Sequence, residues 1–187
     1  MAEALTDVGS TDRTDLPELP EFAPRPPGTR GPIRPPELYR RFDFDPDGPD
    51  LYAVADKMGI EAVSMLMISA IARASGAMRE WTRILPIEDR NNENAVKFAA
   101  DAFRHGLWSY RLAREFGPSQ AKQITDAYER TVVNSIGERA QDLHNNDVGR
   151  RLAADQNNHA RSDVAVVLDA MRSGDLQLTP LLVADGL

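Results

Sequence analysis

Three short segments carry side chains whose types and spacing suit bond-breaking chemistry. In DAFRHGLWSY, residues 101–110, and the turn after it, Asp101, His105, Trp108 and Leu112 recur at intervals of three and four, which puts an acid, an imidazole and an indole on one helical stripe. In TDAYERT, Asp126 and Glu129 sit three apart. In AQDLHNNDVGRRLA, residues 140–153, Asp142, His144 and Asn146 alternate, so an extended segment would aim all three at one place, whereas a helix would spread them. Imidazoles and carboxylates that leave a coordination position open suit zinc or another divalent ion that activates water. His105, Glu129, Asp142 and His144 are therefore the catalytic and metal-ligating candidates, and hydrolysis is the natural reaction class. Arg104 or Arg150 can hold an anionic substrate group, Trp108 is a candidate substrate contact beside them, and Asn145 or Asn146 can orient water or an oxyanion. A metal-free arrangement would pair His105 as base with Ser109 as nucleophile, although no G-x-S-x-G turn is present.

Each segment also has a plainer account. His105 with Asp101 four residues earlier is the pattern of a satisfied buried histidine. Asp126 and Glu129 read equally as solvated acids, and Asn145 or Asn146 as the N-cap of a helix containing Val148 and Leu152. On that account the chain is a non-catalytic helical scaffold or partner-binding module.

The run DAFRHGLWSYRLAREFGPSQAKQITDAYE, followed by DLHNNDVGR, resembles an uncharacterised all-helical domain found at the C-terminal ends of bacterial polymorphic and Rhs-type toxins. Its motifs run as D-A-F-R-H-x-x-W, then A-H-E, then D-L-H-N-N-x-x-G-R, and the likeness covers residues 101–151. The resemblance marks Arg104, His105, Trp108, Glu129, Asp142, His144, Asn145, Asn146, Gly149 and Arg150, and implies a toxin-like or effector-related role. The sequence departs from the pattern at Tyr128, where the family motif has His before the Glu.

The elements that must position these residues read as helices. From Leu51 to Leu85 apolar residues recur at three and four, the mark of one or two helices broken at Gly59 and ended by Pro86. A second run, N-capped by Asn91 or Asn92, reaches Phe116 and stops at Gly117–Pro118, and Ser119 to about Val133 reads as its antiparallel partner. His105 lies 12 residues before that turn and Glu129 about as far after it, so the hairpin sets them at comparable heights. The segment from Asn134 to Gly149 lacks apolar periodicity and reads as irregular. Shorter helices follow at about 147–155 and 160–172, then a strand or docked tail containing Leu176 and Leu178.

Composition agrees with this class. The chain has 187 residues, 42% of them hydrophobic but only 6% aromatic, and a core rich in Ala, Leu, Met and Val favours helices over sheet. We expect an all-α bundle of about five to six helices over residues 41–187, preceded by a disordered proline-rich arm over 1–40. Eight of the 13 prolines fall between Pro17 and Pro36, and five arginines between Phe22 and Arg41 make this arm a candidate for binding a protein partner. With no cysteine, thiolate zinc sites, disulfides and a cysteine nucleophile are excluded. A formal charge of −7 argues against a nucleic-acid partner. The start lacks the basic and apolar run of a secretory signal, and the most apolar window, residues 62–72, is too short to span a bilayer. A cytoplasmic location, or export by a leaderless route, is expected.

Overall fold

The computed structural model describes residues 36–180, and among them there are eight α-helices and no strand. They are α1 (Pro36–Phe42), α2 (Leu51–Met58), α3 (Ile60–Gly76), α4 (Met78–Ile84), α5 (Glu93–Phe116), α6 (Pro118–Thr131), α7 (Ile136–Ala154) and α8 (Asp163–Arg172). Among the described residues no helix is long and apolar enough to cross a membrane.

Local chemistry sets most boundaries. The Asp50 carboxylate accepts from the Ala53 amide at 2.8 Å to start α2. Gly59, at φ 90°, takes a backbone conformation closed to most side chains and separates α2 from α3. Asn92 caps α5 through the amides of Asn94 and Ala95. At its far end Gly117, at φ 88°, turns the chain, and Pro118, which needs no amide partner in a first turn, begins α6.

The bundle has more helices than the sequence suggested, because the apolar run from Leu51 to Leu85 is divided into three. The larger correction is α7. The stretch read as irregular is helical from Ile136, started by a reciprocal cap in which Ser135 Oγ accepts from the Glu138 amide and Glu138 Oε2 accepts from the Ser135 amide. The asparagines at 145 and 146 lie mid-helix and cap nothing. Residues 36–40, assigned to the arm, form most of α1; residues 1–35 and 181–187 lie outside the described residues, and with them the proposed partner-binding role of the arm. Leu176 is buried in a segment that forms no strand.

α5 is the axis of the fold. Phe103, Leu107 and Leu112 on it are fully buried with Trp81 of α4, Ile124 of α6, Val148 of α7, and Val167 and Met171 of α8. Each such side chain removed from water contributes about 1.5–3 kcal/mol. The largest interface is between α5 and α7, and α6 closes against both. α7 carries few large apolar residues because its Arg139, Gln141, Asp142, Asn145, Asn146 and Arg150 are themselves buried. That is why its helical period is invisible to a hydrophobicity reading.

Candidate functional site

The central interface of α5, α6 and α7 encloses a polar cluster. Asp101, Arg104 and His105 come from α5, Glu129 from α6, and Asp142 and Asn146 from α7. His105, Glu129, Asp142 and Asn146 are each at most 1% exposed, so only Asp101 and Arg104 reach the surface.

His105 sits at the middle. Its Nδ1 lies 3.2 Å from Asn146 Oδ1 and 3.5 Å from Glu129 Oε1, while Asn146 Nδ2 donates to the same Glu129 oxygen at 3.3 Å. Both groups facing Nδ1 are acceptors, so Nδ1 carries the proton. Nε2 is then a lone pair, and it accepts from Arg104 Nη2 at 2.7 Å. The same Nη2 is hydrogen-bonded to Asp101 Oδ1. Asp142 Oδ1 lies 3.5 Å from Nε2 and accepts from no N–H or hydroxyl, whereas its Oδ2 accepts from Asn134 Nδ2 at 2.9 Å, and the carboxyl shares a hydrogen bond with that of Asp101. Glu129 Oε2 is also buried without a hydrogen bond.

The electrostatics follow from this crowding. Burial, aided by the Arg104 guanidinium, drives the His105 imidazole down to about 3 against the pull of Asp101 and Asn146, so the ring is neutral. Burial pushes Glu129 up to about 8. Burial, then the charges of Glu129 and Asp101, raises Asp142 well above the usual carboxylate range. Asp101 goes the other way: burial raises it, but His105 and Arg104 together hold it below its ordinary value. Three carboxyl groups thus crowd around Arg104, and Arg139 adds a second positive charge near Glu129.

Asp101 and Arg104 also line a cleft of about 620 Å³ between α3, α4 and α5. Its walls are apolar at Ile71, Trp81, Val96 and Ala100, and Arg90 and Lys97 add positive charge. The Arg104 guanidinium therefore stands between the cleft and the buried imidazole.

Residues 64–175, which contain every residue of this cluster, match a protein family described as Domain of unknown function (DUF6973). The chain belongs to that family. No curated protein and no solved structure matches it.

Within the DUF6973 domain the structure separates the residues the sequence singled out. It brings together His105, Glu129 and Asp142, with Arg104 and Asn146 beside them, and it does not bring His144. On a helix, His144 points away from Asp142 and Asn146; its Nε2 donates to the Asp175 carbonyl at 2.8 Å and its ring meets Phe42 edge-on at 6.5 Å. The four-ligand set that included His144 therefore does not assemble. Asn145 also faces away, clamping the Gln177 backbone by donating to its carbonyl at 3.0 Å and accepting from its amide at 2.8 Å. Arg150 ties Thr125 to Asp147, at 3.3 Å each. Trp108 is a core side chain, 1% exposed, set edge-on against Tyr128 at 5.2 Å. Ser109 donates to the Asn146 carbonyl at 2.7 Å, a helix-to-helix bond rather than one to His105.

One member of the cluster and one residue bonded to it lie outside the sequence-derived site. Asp101 was visible on the His105 stripe as its i−4 partner. Asn134, which orients Asp142, had no signal beyond preceding the Ser135 cap. Replacing the clamp gives a direct test of the peripheral assignment: Asn145→Ala is expected to cost about 2 kcal/mol and to free residues 175–178 to amide exchange, while leaving His105 and its partners in place. Faster exchange at Gln177 with unchanged protection at residues 103–109 is the expected pattern.

Proposed function

We propose that this chain is a hydrolase of the toxin or effector type, with the His105, Glu129 and Asp142 cluster as its reaction centre. The observation that carries the reading is a pair of buried carboxylate oxygens, Glu129 Oε2 and Asp142 Oδ1, that flank a neutral imidazole and accept no hydrogen bond. Burial drives both groups toward their protonated forms, and nothing in packing alone requires two such acids there. Positions that break the rules of stable packing in this way gather where chemistry is done.

The residues divide the work. Asn146 and Glu129 hold the proton on Nδ1 and fix the ring. Nε2 is the nitrogen that meets the reacting water, directly as proton acceptor or as ligand of a water-activating divalent ion such as zinc. Arg104, on the wall of the cleft, is placed to meet an anionic substrate group. The resemblance of residues 101–151 to toxin C-terminal domains supports the effector assignment.

Purified protein, assayed on chromogenic carboxylic and phosphoric esters, is expected to show turnover that His105→Gln abolishes and His144→Ala retains. Expression in bacterial cells is expected to arrest growth, with the same two variants sorting the same way. Turnover that survives His105→Gln at equal protein level would defeat the hydrolase reading, and growth unaffected by the wild type would defeat the effector one.

One observation favours a second reading. Arg104 already satisfies both His105 Nε2 and Asp101, as a non-catalytic scaffold or partner-binding module would need. On that reading His105→Gln lowers the melting temperature and removes no turnover.

A further inference from the structure

We propose that Asp101 Oδ1, His105 Nε2 and Asp142 Oδ1 form a divalent-cation site whose resident competitor is the Arg104 guanidinium, so that a cation enters only as Arg104 swings out into the cleft between α3, α4 and α5. The inference rests on the cluster of the hydrolase reading and deepens it, naming the cofactor class and what controls access.

The three donor atoms lie within 4.8 Å of one another. That is little more than the roughly 4 Å that one ion spans with bonds of about 2.1 Å. Asp142 supplies the independent sign of a missing partner. It is 1% exposed, its Oδ2 is fixed by Asn134, and its Oδ1 faces His105 Nε2 with no N–H or hydroxyl to meet it, the Asp101 carboxyl being the other acid it is pressed against and hydrogen-bonded to. A buried carboxylate oxygen is costly unless something positive or protic meets it.

His105 is prepared from its other side. With Nδ1–H directed at Asn146 Oδ1 and Glu129 Oε1, the ring is held in the tautomer and orientation that a metal-ligating histidine needs, with a carboxylate behind it. Two carboxylate oxygens and one imidazole nitrogen suit a first-row ion such as Mn²⁺ or Zn²⁺ better than Ca²⁺, which takes six or more oxygens. Three protein ligands leave a position for water.

Arg104 occupies that convergence. Its Nη2 is hydrogen-bonded to Asp101 Oδ1 and His105 Nε2, two of the three donors. Guanidinium and cation therefore exclude each other. The exchange is open to Arg104 because its side chain is 20% exposed and borders a cleft of about 620 Å³, where it would meet an anionic ligand instead. A single positive charge on Arg104 faces Asp101 and Asp142, with Glu129 behind the ring; a divalent ion answers that charge more fully.

The test is calorimetric titration of the full chain, stripped with chelator, with Mn²⁺ and separately with Zn²⁺, alongside thermal shifts. One ion per chain is expected. Asp142→Asn is expected to weaken binding at least about tenfold, and Arg104→Met, which deletes the competitor, to tighten it by about the same factor. If Asp142→Asn does not fold, Asp101→Asn on the exposed rim makes the same test. Absence of binding to wild type and Arg104→Met up to about 1 mM, indifference to loss of either carboxylate, or no tightening in Arg104→Met would overturn the proposal. Since binding is read without turnover, a cation bound by a protein that hydrolyses nothing refutes the hydrolase reading alone. Hydrolysis by a protein that takes up neither Mn²⁺ nor Zn²⁺ refutes this one alone.

Discussion

Gly149→Ala is expected to destabilise the fold by about 3 kcal/mol or more, lowering the melting temperature by on the order of 10 °C. Gly149 is where α7 presses on α5. A Cβ there would lie 2.3 Å from the Gly106 carbonyl oxygen, 2.9 Å from the Tyr110 amide nitrogen and 3.0 Å from Ser109 Cβ. The first two are backbone atoms inside a helix, so neither can turn aside, and the helices must part. Gly106→Ala provides the contrast. Its Cβ would meet Leu176 Cδ2 at 3.2 Å and Val167 Cγ1 at 3.3 Å, both ends of side chains that can repack, so a cost under about 1.5 kcal/mol is expected. Parting α5 from α7 also stretches the Ser109 to Asn146 bond and draws Asp142 and Asn146 off His105. Gly149→Ala should therefore lose the site even where it remains folded. Thermal unfolding of the two alanine variants side by side measures the difference, and equal melting temperatures would show that the close crossing is not a constraint.

Much of this arrangement was legible because the α5–α6 hairpin is strongly punctuated. Asn92 opens α5 and Gly117–Pro118 closes it, so counting outward from the turn pairs His105 with Glu129 on sequence alone, and their side chains do meet. Helix α7 was not legible in the same way. Hydrophobic periodicity reports a helix with one wet face, and α7 has polar residues buried on several sides. Read as extended, residues 142–146 send His144 into the site; read with a period of 3.6, they send Asp142 and Asn146 there and His144 to the segment after α8. The S-x-x-E pattern at 135–138 was the available signal for the helix. The contact of Arg104 with His105 was hidden for a different reason. Adjacent residues on a helix do not face each other, so its hold on His105 depends on the reach of a long side chain, which spacing does not show.

The charge balance of the cluster sets the second large effect. In chelator at neutral pH, Arg104→Met is expected to cost about 3 kcal/mol, because it keeps the length and much of the apolar stem of the side chain but removes the close cation from Asp101, Asp142 and Glu129. Asp142→Asn alone should change stability by no more than about 1 kcal/mol, since an amide oxygen still accepts from Asn134 and a buried, poorly partnered carboxylate is lost. Combined, the two substitutions should be less damaging than their sum by about 1–2 kcal/mol, because the double variant has one acid fewer to leave unbalanced. Chemical denaturation of the four proteins completes the cycle. Additivity within about 0.5 kcal/mol would mean that Arg104 serves Asp101 at the rim and does nothing for the acid beneath it. A clear coupling would mean that one guanidinium holds the buried carboxylates in place, so that the group closing the site to ions is also the group that keeps its ligands ready to receive one.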